Sequence, residues 1–223
     1  MTKHNLIAES LSKKIAGQLV LDNISFSINS GERVLLLGHN GAGKSTLLNI
    51  LSGLQDYDSG SITSTFSSTA YQSHQLALYE HLSLKENLLF FLKMNGQEIS
   101  LDELLSKWNL SKSADKLLGQ ASQGVKFRTA LASTFSSDAE LMLLDEPTTS
   151  LDLQSVKLVV DEIKSQENKT FLIASHDVSS LAGLIDRVLI LENGALVVNE
   201  DLKETIVKEK ITKVNELYEE LKK

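Results

Sequence analysis

The sequence predicts an α/β fold: a core sheet of parallel strands, preceded by an antiparallel β subdomain and interrupted by an inserted helical subdomain. Three observations predict it. Short β-rich runs open the chain between turn residues, later apolar runs alternate with helical periodicity, and the stretch 76–136 turns to helical patterns.

The opening runs are Asn5 to Leu11, Val20 to Ile28 and Arg33 to Leu37, with Asn29-Ser30-Gly31 as a turn between the last two. Such spacing favours antiparallel hairpins. Directly after the third run stands Gly38-His39-Asn40-Gly41-Ala42-Gly43-Lys44-Ser45, which is glycine, four residues, then Gly-Lys-Ser, and Lys44 to Leu51 reads as the helix that follows. Strand, glycine turn and helix come in the order that lets backbone N–H groups converge on phosphate oxygens at a positive helix end. The core is therefore a P-loop NTPase core built to hold a nucleoside triphosphate. Lys44 reaches the β- and γ-phosphates and Ser45 ligates magnesium, so the expected cofactors are ATP and Mg2+. His39 occupies a permissive position of the pattern and carries no claim.

From Leu76 to Ser136 the helical segments are Leu84 to Lys93, Leu101 to Trp108 and one beginning near Ser122. The later strands, Leu141 to Leu144, Thr170 to Ala174 and Val188 to Glu192, alternate with helical patterns such as Leu153 to Lys164, which argues for parallel pairing. Lys203 to Lys222 carries a stripe of Ile206, Val207, Ile211, Val214, Leu217 and Leu221. A face packed on the chain's own core is the favoured reading, with a dimerisation helix as the alternative.

Two of these strands end in chemistry. Leu141-Met142-Leu143-Leu144-Asp145-Glu146 delivers two adjacent carboxylates to a carboxyl edge of the sheet. Asp145 can hold magnesium, directly or through its waters. Glu146, projecting differently from Asp145 on an extended backbone, can polarise a water in line with the γ-phosphate as general base. After Thr170 to Ala174 comes His176, whose neutral imidazole can sense the γ-phosphate and orient that water.

Composition narrows the setting. The 223 residues suit one domain, 1–223, with the helical insertion 76–136 inside it, and no linker rich in proline and glycine divides them. There is no cysteine, so no disulfide is possible, which fits a reducing compartment. With 22 Lys plus Arg against 29 Asp plus Glu, the net charge of −7 disfavours non-specific attachment to nucleic acid. Nothing resembles a secretory signal, and apolar runs such as Leu88 to Leu92 are far below the roughly 18 residues a bilayer crossing needs. A membrane role must come through a partner.

Together these motifs resemble the ATP-binding subunits of ABC transporters over essentially the whole chain. The Walker A match is Gly38 to Thr46, so Gly38, Asn40, Gly41, Ala42, Gly43, Lys44, Ser45 and Thr46 are implied to bind nucleotide. Walker B is Leu141 to Asp145, with Glu146 as the base. The D-loop resembles Thr149-Ser150-Leu151-Asp152, the switch histidine His176, and Glu192-Asn193-Gly194 the turn before the last short strand. For the magnesium-contacting Q-loop glutamine there are two candidates, Gln72 and Gln75. The register of the segment Leu78 to Leu88 favours Gln75 and leaves Gln72 inside the preceding strand.

The resemblance departs in two places. Where the family carries Leu-Ser-Gly-Gly-Gln, this chain has Ala121-Ser122-Gln123-Gly124-Val125, keeping Ser122 and Gly124 as the implied ligands of a γ-phosphate held by the opposite subunit. A hydroxyl and helix N-terminal amides still meet the needs of an anionic phosphate. Gln123 either adds a donor or obstructs closure. Ile15 stands where the family has an aromatic residue on adenine, which implies weak discrimination between ATP and GTP.

The family pattern further implies a second ATPase subunit, most simply a homodimer, and an integral membrane subunit that recruits the chain to the cytoplasmic, inner face of the cell membrane as a peripheral protein. No nucleic acid partner is expected. Two ATP molecules held between facing subunits would drive closure and their hydrolysis would reopen it. Within the family, the short spacing from phosphate loop to Q-loop and the compact insertion resemble exporters, including the haem-exporter branch, with lipid or peptide export equally compatible. Two other classes stay open: a soluble ATPase that remodels a ribosome or DNA, though neither tandem ATPase domains nor a long coiled coil is present, and a regulatory module that no longer hydrolyses nucleotide.

Overall fold

Residues 33–37, 141–145 and 170–174 are apolar at nearly every position, as strands covered on both faces must be, and they form the centre of the molecule. The computed structural model describes residues 4–149, 151–176 and 178–202, and beyond them 209, 212, 214 and 216. The strands are β1 (His4–Ile15), β2 (Gln18–Asn29), β3 (Arg33–Leu37), β4 (Ser59–Ser64), β5 (Thr69–Gln72), β6 (Leu141–Asp145), β7 (Thr170–Ala174), β8 (Arg187–Glu192) and β9 (Ala195–Asp201). The helices are α1 (Lys44–Leu51), α2 (Leu84–Met94), α3 (Leu101–Lys107), α4 (Gln123–Phe135), α5 (Leu153–Ser165) and α6 (Val178–Leu181).

Two sheets result. A six-stranded sheet has the order β5-β6-β7-β3-β8-β9, with β5 to β8 parallel and β9 antiparallel at the edge. A three-stranded antiparallel sheet has the order β2-β1-β4. The mixed α/β class read from the sequence is thus the observed one.

Side-chain alternation along the central strands feeds two cores. Leu35 and Leu37 of β3 and Met142 and Leu144 of β6 face the core shared with α2, α3, α4 and α5. Val34, Leu36, Leu141 and Leu143 face the core shared with α1 and the antiparallel sheet. The helices that cover these faces are well started. Ser83 caps α2 in a full capping box with Glu86, and Asp152 caps α5 by accepting from the Ser155 amide at 2.7 Å.

Several sequence expectations change in the structure. The hairpin expected between 20–28 and 33–37 does not form, because after the turn at Ser30 and Gly31 the chain crosses to the other sheet and β3 pairs in parallel with β7 and β8. Only β1 and β2 make a hairpin at the start of the chain, turning at Ala16 and Gly17, both with positive φ. β4, with a single partly buried apolar residue, Ile62, has no sequence signal and exists by pairing to β1. The helix expected over 203–222 lies almost entirely outside the described residues, although within it Val214 is helical and buried in the helix-side core.

The two sheets are tied by a buried ion pair. Arg187 of β8 donates from Nε to Glu32 Oε1 at 2.8 Å and from Nη2 to Glu32 Oε2 at 2.9 Å. The same guanidinium reaches the Ser27 carbonyl and the Asn199 side chain, while Glu32 also accepts from the Asn29 amide. The junction from β2 to β3 is thereby locked to β8 at the edge of the sheet opposite the phosphate loop.

Candidate functional site

The loop from Gly38 to Gly43 leaves β3 and enters α1 through backbone conformations and contacts that a side chain would forbid. A Cβ on Gly38 would lie 2.5 Å from the Leu191 carbonyl oxygen, and one on Gly43, at φ 105°, 2.7 Å from Leu21 Cδ2. So packed, the loop curls over Lys44, whose Nζ donates to the carbonyls of Gly38 at 2.7 Å and His39 at 3.3 Å. Burial holds the Lys44 pKa below the usual lysine range, and the charges of Glu146 and Asp145 oppose that shift. A cation this sheltered is poised for an anion that replaces its two carbonyl partners.

The strand ends β6 and β7 bring the remaining chemistry to the same cleft, a cavity of about 500 Å³. Asp145 is 2% exposed, and burial pushes its carboxyl pKa up against the opposing hydrogen bond from Ser45 and the charges of His74 and Lys44. Glu146 does not continue the strand as the sequence suggests. Its φ of 54° is left-handed, and its amide donates to the Ala174 carbonyl at 2.8 Å, so the backbone turns out of the sheet at this residue. The rotation carries the carboxylate away from Asp145 and toward β7. There Glu146 Oε2 accepts from Thr149 Oγ1 at 2.9 Å and lies 2.9 Å from His176 Nδ1. A carboxylate can only accept, so Nδ1 carries the hydrogen.

Of the residues singled out in the sequence, Asn40, Gly41, Gly43, Lys44, Ser45, Thr46, Asp145, Glu146 and His176 line this cleft together. Gly38 and Ala42 shape the loop from behind, Ala42 being fully buried. Four others stand elsewhere. Ser122 and Gly124 lie at the start of α4, outside the cleft, with the Ser122 side chain making no capping bond and open space around Gly124. Gln75 is exposed and does not line the cleft, because Ser73 Oγ bonds to its carbonyl and folds the segment after β5 into a tight turn. Gln72 is buried in β5, its side chain donating to the Ser73 carbonyl and accepting from Thr134 on α4.

Sequence reasoning missed His74, Val20 and Thr149 as cleft residues. Thr149 lay inside the stretch matched to the D-loop, but nothing in sequence reports that its hydroxyl would turn back on Glu146. Val20 comes from the neighbouring hairpin, and only tertiary packing places it here.

The donor set suits a hard cation carried on phosphates. Ser45 and Asp145 offer adjacent oxygen ligands, and no cluster of three or more His, Asp or Glu side chains able to hold a metal alone exists among the described residues. Magnesium needs few protein ligands when phosphate oxygens and waters supply the rest, so the residues fit it.

A second, larger cavity of about 840 Å³ lies elsewhere, between β5, the end of α2 and α4. Tyr71, Gln72, Phe91, Met94 and Thr134 line it, and it holds none of the phosphate-loop residues. Met94 in its lining is exposed, and the exposed rings of Tyr79 and Phe90, packed edge to face at 5.1 Å, both contact the lining Phe91.

Comparison with known proteins gives a consistent result. Residues 21–149 match the family model described as "ABC transporter". The spermidine/putrescine import ATP-binding protein PotA of Protochlamydia amoebophila is 33% identical over 211 residues, 86% of this chain, which spans only 56% of that longer protein. The probable sulfate/thiosulfate import ATP-binding protein CysA of Chlorella vulgaris is 31% identical over 86% of this chain and 89% of its own length. The cytochrome c biogenesis ATP-binding export protein CcmA of Photobacterium profundum is 35% identical over 69% of this chain and 83% of its own. Among solved structures, an ATP-binding subunit of an ABC transporter superposes with a TM-score of 0.83 at 26% identity, covering 98% of this chain and 99% of the other. The fold of a dimeric ATP-binding cassette in a post-hydrolysis state, bound to ADP and Pi, matches with a TM-score of 0.78 at 23% identity over 88% of this chain and 98% of the other.

Proposed function

The chain belongs to the ABC transporter family, and from that premise we propose that it is the ATP-binding and hydrolysing subunit that powers a transporter through closure of an ATP-bound dimer. One observation carries the reading: Lys44, Asp145, Glu146 and His176, drawn from three strand ends, converge on one cleft beside the phosphate loop.

In this cleft Lys44 and the amides of the phosphate loop take the β- and γ-phosphates, while Ser45 and Asp145 would hold magnesium, which when bound would supply neutralisation of the phosphate charge. Glu146 accepts a proton from the attacking water, which makes it the catalytic base. Thr149 and His176 fix the carboxylate, and the Nδ1 bond leaves His176 Nε2 as an acceptor that orients the water. Positioning supplies most of the acceleration, as phosphoryl transfer demands little covalent work.

A second copy of the chain completes the site. Ser122 and Gly124 are exposed or open at the start of α4 and lie outside their own cleft, which supports their use on the γ-phosphate held by a facing subunit. The large groove beside β5 and α2, with exposed Met94 in its lining and exposed Tyr79 and Phe90 packed on its Phe91, supports docking of an integral membrane subunit. Its position next to Gln72 and the α4 helix, with 76–136 as the inserted helical subdomain, links that partner to the nucleotide cleft. Among the described residues no helix is long and apolar enough to cross a membrane, and the likeness to ATP-binding subunits of transporters supports a peripheral place on the cytoplasmic face through that partner. The likeness to CcmA is compatible with the exporter branch, and the likeness to PotA and CysA with import, so the cargo belongs to the partner.

The test is hydrolysis by the purified chain, alone and with the membrane protein that co-purifies with it. ATP turnover that rises on reconstitution is the expected result, and a chain that binds MgATP with no turnover in either condition overturns the reading.

A further inference from the structure

The segment that leaves β5 offers three polar side chains near the cleft, and the structure sends them in three directions. Gln72 points into the protein, with its amide nitrogen on the Ser73 carbonyl at 2.9 Å and its oxygen held by Thr134 at 2.9 Å. Gln75 is exposed and stands clear of the cleft. His74, between them, is also exposed and lines the cleft together with Lys44, Ser45, Asp145 and Glu146.

We propose that His74 is a nucleotide-binding residue in this chain, donating a ring N–H to a γ-phosphate oxygen from the side of the cleft opposite the phosphate loop. The inference deepens the ATPase reading and rests on it. The geometry favours this role for several reasons. Gln72 has both ends of its amide engaged and cannot turn without breaking two hydrogen bonds, one of them to α4. The Gln75 carbonyl is pinned by the Ser73 hydroxyl, a contact that shapes the turn with His74 at its tip. No described protein hydrogen bond engages the His74 ring, so its nitrogens are available to a ligand entering the cleft. An imidazole, unlike an amide, offers a single N–H donor on a ring whose other nitrogen can accept from water. It therefore suits a phosphate oxygen better than a cation, and the cation is already served by the oxygens of Ser45 and Asp145.

A contact of this kind distinguishes ATP from ADP, since only ATP carries the oxygen it binds. Magnesium-dependent affinities for ATP and ADP should be measured by calorimetry on the full chain and on His74→Ala, His74→Gln and Gln75→Ala. The expected outcome is that His74→Ala weakens ATP about tenfold, as loss of a hydrogen bond to a charged group does, while ADP affinity changes by less than about twofold. His74→Gln, which restores a donor, should recover part of the loss, and Gln75→Ala should leave both affinities unchanged. Equal weakening of ATP and ADP in His74→Ala, or a selective loss of ATP in Gln75→Ala with His74→Ala unaffected, overturns the assignment. Failure of the unsubstituted chain to bind either nucleotide would instead strike the ATPase reading beneath it.

Discussion

His176 Nδ1 and Glu146 Oε2 lie 2.9 Å apart, and the same carboxylate oxygen also accepts from Thr149 Oγ1 at 2.9 Å. This pairing joins the ends of β6 and β7 across the cleft. It also explains why Glu146 accepts a left-handed backbone at φ 54°, which is uncommon for a residue with a side chain. An extended backbone would aim the carboxylate elsewhere, and the strained turn is what lets base and histidine meet.

Replacing Glu146 with Gln keeps the size and the contact to Thr149 while removing the proton acceptor. Hydrolysis should fall by about 10²- to 10⁴-fold, the range expected for loss of a general base. MgATP affinity should stay near that of the native chain, and size-exclusion chromatography with ATP should reveal a persistent dimer. Phosphate release at the native rate from this variant would remove Glu146 from the role of base.

The buried pair of Glu32 and Arg187 makes a separate prediction about stability. Both groups are nearly inaccessible, Glu32 at 3% and Arg187 at 9%, and each is saturated by polar neighbours. Glu32→Ala leaves a guanidinium buried beside the Ser27 carbonyl with its countercharge gone, which costs about 3–5 kcal/mol. Denaturant unfolding should register that loss as a lower midpoint with an unchanged slope. Substituting both residues with apolar side chains of similar volume should restore much of it, because the cost lies in the orphaned charge.

Much of this architecture was legible in the residues because the signals were local. The glycine pattern from Gly38 to Lys44 fixes a loop by sterics alone, and the uniformly apolar strands ending in Asp145 and Ala174 can only be central and parallel. What stayed hidden depends on distant pairing. β4 is half serine and has one partly buried apolar residue, so it exists because β1 offers it an edge, and β3 left the expected hairpin because β7 and β8 bury it better than β2 would. In the site, residue types were readable but side-chain directions were not. A backbone reversal at Glu146 and a three-residue turn at Ser73 decided which carboxylate met His176 and which of Gln72, His74 and Gln75 faced the cleft.

Ser122 gives a test of the facing-subunit arrangement that is independent of the cleft. It precedes α4 with extended backbone, yet its side chain makes no capping hydrogen bond within the chain. Ser122→Ala should therefore cost the isolated chain less than the ~1 kcal/mol typical of a lost N-cap. Nucleotide affinity of the monomer should be unaltered, while ATP-dependent dimerisation and turnover fall. Thermal unfolding, nucleotide titration and light scattering on one preparation separate these outcomes, and a variant that dimerises with ATP as the native chain does would exclude the hydroxyl from the interface.

Ile15 leads to a prediction about base selectivity. It ends β1, pairs with Gln18 across the hairpin and is 42% exposed, while Val20 is the one apolar side chain among the described residues that line the cleft. Neither residue presents a hydrogen-bonding group to a purine edge, and an aliphatic chain offers no ring to stack on. ATP and GTP should consequently bind with affinities close to one another. Ile15→Tyr supplies a stacking face worth about 1–3 kcal/mol, by analogy with aromatic contacts to bases elsewhere, so both nucleotides should bind roughly tenfold or more tightly. Because every base has a π-face, the ratio between them should barely move. Titration of both nucleotides against both proteins decides the matter, and a strong adenine preference in the native chain would mean that some group outside this hairpin reads the base.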